Sequence, residues 1–352
     1  MHNYFAAANT AKGFVSWFND IFDPHTLERT YIIKGGSGTG KSTLMRKIAA
    51  RVIDSGGDCE YYYCSSDPTS LDGIIVNTKD GKRIAMLDGT APHMHDPKFP
   101  GAAEEIVNLG EYWNDDILKK NRDEIIMLCD KKSRLYSDAY ANFAAAGVLV
   151  LTQLNEARGY LLEKKLEAAA QRLLAQRMHE CHAKGSGCEK RIRVLSALST
   201  HGESYFDSFG DCDKVCKVID YAGTAPFLFN SLMRIAEKLG IDYDRAPMPL
   251  LPDLSEAIRF PALSMAVVSR TDRKDIKEIN MSRFVDRLLL AEYDRTKRRT
   301  LKKAAQELTE AGLTKLAKVR HIHGETEKIY IGAMDFTKLE EATDRLISKM
   351  GI

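Results

Sequence analysis

Net charge is nearly absent from this sequence: 51 Lys and Arg stand against 49 Asp and Glu, a formal +2 over 352 residues. So even a balance gives no overall pull toward nucleic acid or a membrane surface. Long apolar runs are missing too. The longest weakly polar stretch, FAAAGVLVLTQL at 143–154, falls short of the roughly 18 apolar residues that cross a bilayer. The opening MHNYFAAANTAKGF lacks the basic region and apolar run of a signal peptide. The expectation is a soluble, cytoplasmic protein with no membrane partner. Cysteine is sparse: seven residues, at 59, 64, 129, 181, 188, 212 and 216, an odd number that suits reduced thiols. His179, Cys181, His182 and Cys188, with Cys212 and Cys216 beyond, are zinc ligands by type. No cysteine pair has the familiar two-residue spacing, so a polar linker rich in Cys and His is expected instead of a metal site. What is present is ordinary globular material, 44% hydrophobic, in a chain long enough for two domains.

One stretch has chemistry that can be read directly, IIKGGSGTGKSTL at 32–44. Gly35 to Ser42 reads G-x-x-x-x-G-K-S and fits the phosphate-binding P-loop pattern at every fixed position. Tyr31, Ile32 and Ile33 form a β-prone run before it; Leu44, Ile48, Val52 and Ile53 mark one helical face after it. Gly35, Gly36, Gly38 and Gly40, with Ser37 and Thr39 between them, let the backbone turn its N–H groups onto phosphate oxygens. The following helix start adds partial positive charge. Lys41 is expected to reach the β- and γ-phosphates, Ser42 to ligate Mg²⁺, and Thr43 to contact the α-phosphate or cap the helix. Asp88 closes the apolar run Ile84–Leu87 and is the Walker B candidate for Mg²⁺. Asp67 follows the strand DCEYYYC, where a base, metal contact or substrate-binding acid would sit; equally, it would cap a helix over TSLDGII. His93 and His95 read as exposed loop histidines at the same edge, able to touch substrate but more often bystanders.

The sequence also repeats. RVLSALSTHGESYFDSF near 194–209 echoes YFAAANTAKGFVSWFNDIF near 4–22, and Ser231-Leu232-Met233-Arg234 lies opposite Thr43-Leu44-Met45-Arg46. Asp88 falls opposite Ser269, and Ile279-Asn280-Met281 repeats Val107-Asn108-Leu109. This alignment sets Gly40, Lys41 and Ser42 against Leu228, Phe229 and Asn230. The second copy then lacks glycine, ammonium, hydroxyl and acid together and should not hydrolyse nucleotide. The expected fold is α/β, a P-loop NTPase with mostly parallel sheets flanked by helices, in two tandem repeat-related modules. Residues 1–185 would form the P-loop domain with a helical extension, and 190–352 a degenerate copy lacking Walker A and Walker B residues. Long helices are expected from Ile106 to about 178, with Gly147 and Gly159 as breaks, and again over VDRLLLAEYDRTKRRT and beyond. A strand through Ile329–Ile331 and a terminal helix, unmatched in the first half, complete the reading. Arg295, Lys297, Arg298, Arg299, Lys302 and Lys303 form a basic run expected to be a solvated face, nucleic acid being the lesser expectation.

IIKGGSGTGKSTL, CSSDPTSLDG, LDGTAPH and EIVNLGEYW together make nearly the whole chain resemble a family of uncharacterised bacterial tandem P-loop proteins. Those proteins come mainly from Firmicutes and are labelled ATPase or nucleotide-kinase-like. Both of their halves often carry a P-loop, whereas AGTAPFLFN stands at the second position here. The resemblance implies ATP at Gly35–Thr43 with Mg²⁺ near Ser42 and Asp88, and it supplies no acceptor. The function expected is a Mg²⁺-dependent ATPase using Lys41, Asp88 and Asp67, with an inactive sister module. A nucleotide or small-molecule kinase, and an ATP-gated binding protein acting on a protein partner, are the alternatives.

Overall fold

Two six-stranded sheets carry the chain, and both are assembled in the same order. The structure is a computed structural model describing residues 2–182, 185, 187–293 and 295–351. Its first sheet joins β1 (His2–Phe5), β5 (Asp58–Tyr63), β6 (Leu71–Asn77), β7 (Arg83–Asp88), β4 (Arg29–Lys34) and β8 (Glu104–Asn108). The second joins β9 (Lys190–Ile192), β13 (Tyr243–Pro247), β14 (Ser255–Phe260), β15 (Met265–Val268), β12 (Lys214–Ile219) and β16 (Lys277–Asn280). Hairpins β2 (Ala7–Thr10) with β3 (Gly13–Ser16), and β10 (Ser196–Ser199) with β11 (Gly202–Tyr205), follow the first strand of each. In each sheet the third strand runs antiparallel to both neighbours while the other pairings are parallel. Even a bulge recurs, at Tyr62/Tyr63 and at Ala246/Pro247. The sheets are therefore mixed, mostly parallel, and repeated.

Burial explains the strands. β6 and β7 are enclosed almost throughout, so they read as continuous apolar runs such as Ile74-Ile75-Val76. Those β-branched residues make TSLDGII the start of a strand, and no helix begins there for Asp67 to cap. Glu104–Asn108 is likewise strand, not the head of a helix; Asn108 then turns the chain by accepting a bond from Gly110 N.

After the single turn α1 (Phe18–Ile21), α2 (Lys41–Asp54) follows β4, and α6 (Ala225–Leu239) follows β12. Each half then runs through a short helix, a long one and a closing one. These are α3 (Asp115–Lys120), α4 (Arg122–Arg158) and α5 (Glu163–Glu180), then α7 (Arg287–Glu292), α8 (Arg295–Ala333) and α9 (Phe336–Met350). Gly147 does not break α4; it lies so close to the hairpin that a Cβ would meet Ala11 Cβ at 2.6 Å. Ile329–Ile331 belongs to α8 and is not a strand.

The closing helices are exchanged. Leu166, Leu173 and Leu174 of α5 share a core with Cys216, Leu232 and Phe260 under the second sheet. Leu339 and Met350 of α9 share one with Ile33, Leu44 and Ile48 under the first. These helices are also sequence counterparts, Lys165-Leu166-Glu167 with Arg172-Leu173 matching Lys338-Leu339-Glu340 with Arg345-Leu346. The terminal helix thus has a partner in the first half after all. A further core joins the halves, packing Tyr4, Phe5 and Phe22 against Val194, Phe209, Ala246 and Val268. Among the described residues no helix is long and apolar enough to cross a membrane.

Candidate functional site

β4 lies between β7 and β8, with Ile33 beside Asp88 and Lys34 beside Asn108. That register brings the end of β7 level with the start of the glycine loop. Gly38 and Gly40 take φ of +70° and +86°, conformations that side chains disfavour. α2 opens directly from Gly40 with no side chain capping its first N–H groups, which leaves them for an anion. Lys41 Nζ folds back onto the carbonyl oxygens of Gly35 at 2.8 Å and Gly36 at 2.6 Å. It also stands 3.4 Å from Asp88 Oδ2. Thr90 Oγ1 donates to Gly35 O at 2.9 Å, Thr90 N donates to Asp88 Oδ1 at 2.9 Å, and Ser42 Oγ accepts from Leu71 N at 3.1 Å. Within the loop, Thr39 Oγ1 donates to Gly36 O at 2.8 Å, and Thr43 is exposed. Burial pushes the Asp88 carboxyl above the usual carboxylate range; the Lys41 ammonium opposes this, and Asp72 reinforces it. An uncapped helix start, a glycine loop, one ammonium, one hydroxyl and one carboxylate on the adjacent strand fit a magnesium nucleoside triphosphate.

Beside Asp88 lies a buried polar row. Asp72 Oδ2 is 2.9 Å from His93 Nε2, and ligand atoms of Cys64, Asp72 and His93 all fall within 4.8 Å of one another. Burial alone would depress His93, but the adjacent Asp72 carboxylate outweighs it and raises the imidazole above its ordinary value. His95 stands 3.5 Å from Glu104 Oε1. Neither histidine is the exposed loop residue expected, at 7% and 5% exposure. Lys34 accounts for this: its Nζ donates to Gly89 O, His95 O and Asp96 Oδ1 and pins the loop inward. Asp67 turns its carboxylate onto Thr69, accepting from its N at 3.0 Å and its Oγ1 at 2.7 Å.

The second half contributes to this site directly. Thr200 N and Oγ1 donate to Ser66 O at 2.9 and 2.7 Å, bracing the loop that carries Asp67. From α4, Tyr136 Oη donates to Ser66 Oγ at 3.0 Å. The end of α8 rests on the glycine loop itself. A Cβ on Gly36 would stand 2.5 Å from the Tyr330 ring, and one on Gly38 would stand 2.9 Å from Ile331 Cγ1 and 3.1 Å from Glu327 O. His323 Nδ1 is 3.5 Å from Ser37 Oγ, and its Nε2 is 3.6 Å from Glu327 Oε1. His323 holds the Glu327 carboxyl below its ordinary range, helped by Lys41. Sequence reasoning missed these α8 residues. Their only signal is that His323, Glu327 and Tyr330 fall on one helical face.

In the second sheet Ile219 pairs with Asn280 as Lys34 pairs with Asn108, so Asp220 stands where Gly35 does. The loop that follows is one residue shorter than its counterpart, so α6 begins at Ala225 and, with the helix starts matched, Ala225 stands opposite Lys41 and Pro226 opposite Ser42. The match of Lys41 with Phe229, and of its neighbours with Leu228 and Asn230, is corrected by one helical turn. An apolar face repeats every turn, so a slip of four residues preserves the hydrophobic pattern. The chemistry still differs between the halves. Asp220 supplies the anion itself, its carboxylate accepting from Gly223 N at 3.1 Å and Ala225 N at 2.8 Å. Farther along, Cys181 Sγ points to Leu263 O and Cys188 Sγ to Ile241 O. Among the described residues, Cys64, Asp72 and His93 form the only trio of such side chains close enough to share an ion. Residues 183, 184 and 186, within the Cys/His linker, lie outside the described residues.

No protein-family model matches this chain. No solved structure matches it. Over 84 residues, at 32% identity, it is similar to the hemin import ATP-binding protein HmuV of Burkholderia lata. The similar stretch covers 24% of this chain and 30% of that protein, so the likeness is partial on both sides.

Proposed function

We propose that this protein binds ATP with Mg²⁺ at Gly35–Thr43 and hydrolyses it there. The observation that carries this reading is the uncapped start of α2 beside Lys41, which stands 3.4 Å from Asp88. The partial likeness to an ATP-binding protein supports it. Backbone N–H groups of the loop and of α2 would hold the phosphates. Lys41 would exchange the Gly35 and Gly36 carbonyls for phosphate oxygens and offset the charge that develops in transfer. Ser42 and Asp88 would hold Mg²⁺, which supplies charge neutralisation across the phosphates. Asp67, whose carboxylate now accepts from Thr69, would turn to orient the attacking water. Tyr330 and Glu327 would wall the loop from the side of the second half.

A second reading, an ATP-gated binding protein with little turnover, is favoured by the seating of α8 on Gly36 and Gly38. Occupancy of the loop and the position of that helix would then be linked. Titration of the purified chain with a fluorescent ATP analogue, with and without Mg²⁺, tests both readings. Saturable binding that Lys41→Ala weakens by about tenfold or more is expected, since one charge-assisted contact to phosphate is lost. Binding without phosphate release would select the gated reading, and release only on adding a small acceptor would select a kinase. Absence of binding by the unaltered chain would contradict all three.

A further inference from the structure

The second half keeps a crevice at the place where the first half has its glycine loop. It encloses a cavity of about 1530 Å³, bounded by the Asp220–Gly223 turn, Ser269, the end of α4 and the first half of α8. That volume exceeds the roughly 300–1,000 Å³ of common small-molecule sites. Its cations outnumber its carboxylates. Arg287, Arg295, Arg298, Arg299 and Lys302 line it, against Glu203, Asp220 and Glu310. Asp220 is already committed to the start of α6. Among the described residues, none of those five cations forms an ion pair. Arg298 carries a further mark: its Nε is buried without a hydrogen-bond partner among the described residues, and its guanidinium lies 5.9 Å from the centre of the Tyr160 ring. A buried guanidinium donor left unmatched is costly unless a ligand takes it. The basic run at 295–303 is mostly exposed, as expected of a solvated face, and Arg295, Arg298, Arg299 and Lys302 of it also line this crevice.

We propose that this cavity is a second ligand site, one that binds an organic phosphate carrying at least two negative charges and does not hydrolyse it. Planar guanidinium forks suit phosphate oxygens in pairs, and Tyr221 and Tyr293 line the crevice with rings that could meet an organic body. Hydrolysis is not expected, because Ala225, Pro226 and Ser269 replace the ammonium, hydroxyl and carboxylate of the first site. A small molecule fits better than a nucleic acid strand, because the cations line the walls of a crevice.

The test uses the full chain carrying Lys41→Ala, which weakens the first site, titrated calorimetrically with ADP. We expect saturable binding that weakens by about tenfold or more when Arg298→Gln and Arg299→Gln are added, two charge-assisted donors being removed. A second pair, Arg299→Gln with Lys302→Gln, alters only exposed side chains, so its folding is not at issue; it should weaken ADP in the same direction. Pyrophosphate should compete with ADP, marking the phosphates as the part gripped. No saturation up to about 5 mM ADP, affinity unchanged in both arginine variants, or no competition by pyrophosphate would each overturn the proposal.

Discussion

Lys41 and Asp88 meet because neighbouring strands end at one level and the loop returns the chain over them, and Ser42 follows on the first turn of α2. Each was readable in the sequence, since residue type, spacing and an apolar run before the acid are local features. Tyr330, Glu327 and His323 were not, because what makes them matter is the loop they touch nearly three hundred residues away. Asp72 was hidden differently, at a bulge inside a segment that reads as the start of a helix. Its counterpart in the second sheet, Glu256, yields a test at this scale. Burial pushes the Glu256 carboxyl up to about 8, and a Ser196 hydrogen bond opposes the rise. Between its ordinary 4.5 and about 8, the native chain holds a proton that the unfolded chain has released. Stability therefore falls as pH rises through that window. Glu256→Gln has nothing to titrate, so its denaturation midpoint should fall less between pH 5 and 8 than that of the unaltered chain. Identical slopes would show that Glu256 is already ionised in the native state.

Secondary elements were legible where their pattern is local and misread where partners decide. The loop-flanking strand and helix, and the strands β5 and β7, match their sequence patterns, whereas β6 and β8 needed the sheet to be recognised. α8 shows the same limit at its far end, where Ile329–Ile331 looks β-prone yet continues a helix of 39 residues. Packing along α8 also separates two glycines that the sequence cannot distinguish. At Gly312 a Cβ would stand 2.4 Å from the buried Phe143 ring of α4, whereas at Gly324 it would meet nothing within 4 Å. Gly324→Ala should raise stability by about 1 kcal/mol, the ordinary helix preference. Gly312→Ala should lower it by about 1–3 kcal/mol, as overpacking does. Urea unfolding of the two variants should move the midpoint in opposite directions. A gain at both positions would mean that α4 and α8 are not packed as described.

At the scale of the whole molecule, duplication was visible in the order of matching segments, but the exchange of closing helices was not. Nothing in α5 or α9 states which sheet it covers, since each carries the same apolar spacing. The result is that neither half buries its own core without the other. Arg193 fastens them. It is 4% exposed, donates to Tyr62 Oη at 2.6 Å and Glu60 Oε1 at 3.1 Å, and lies over the Tyr4 ring. Arg193→Met should cost about 3–5 kcal/mol of unfolding free energy by leaving the largely buried Glu60 uncompensated. A loss below about 1 kcal/mol would mean that the pair behaves as a surface contact. Because the halves interlock, the nucleotide chemistry proposed for the first loop belongs to the whole chain. The most direct measurement is steady-state phosphate release from ATP by the full chain with Mg²⁺. Release that disappears in Lys41→Ala and Asp88→Asn, while both variants keep their fold, is the result expected. Release at an undiminished rate in either variant would contradict hydrolysis at this loop.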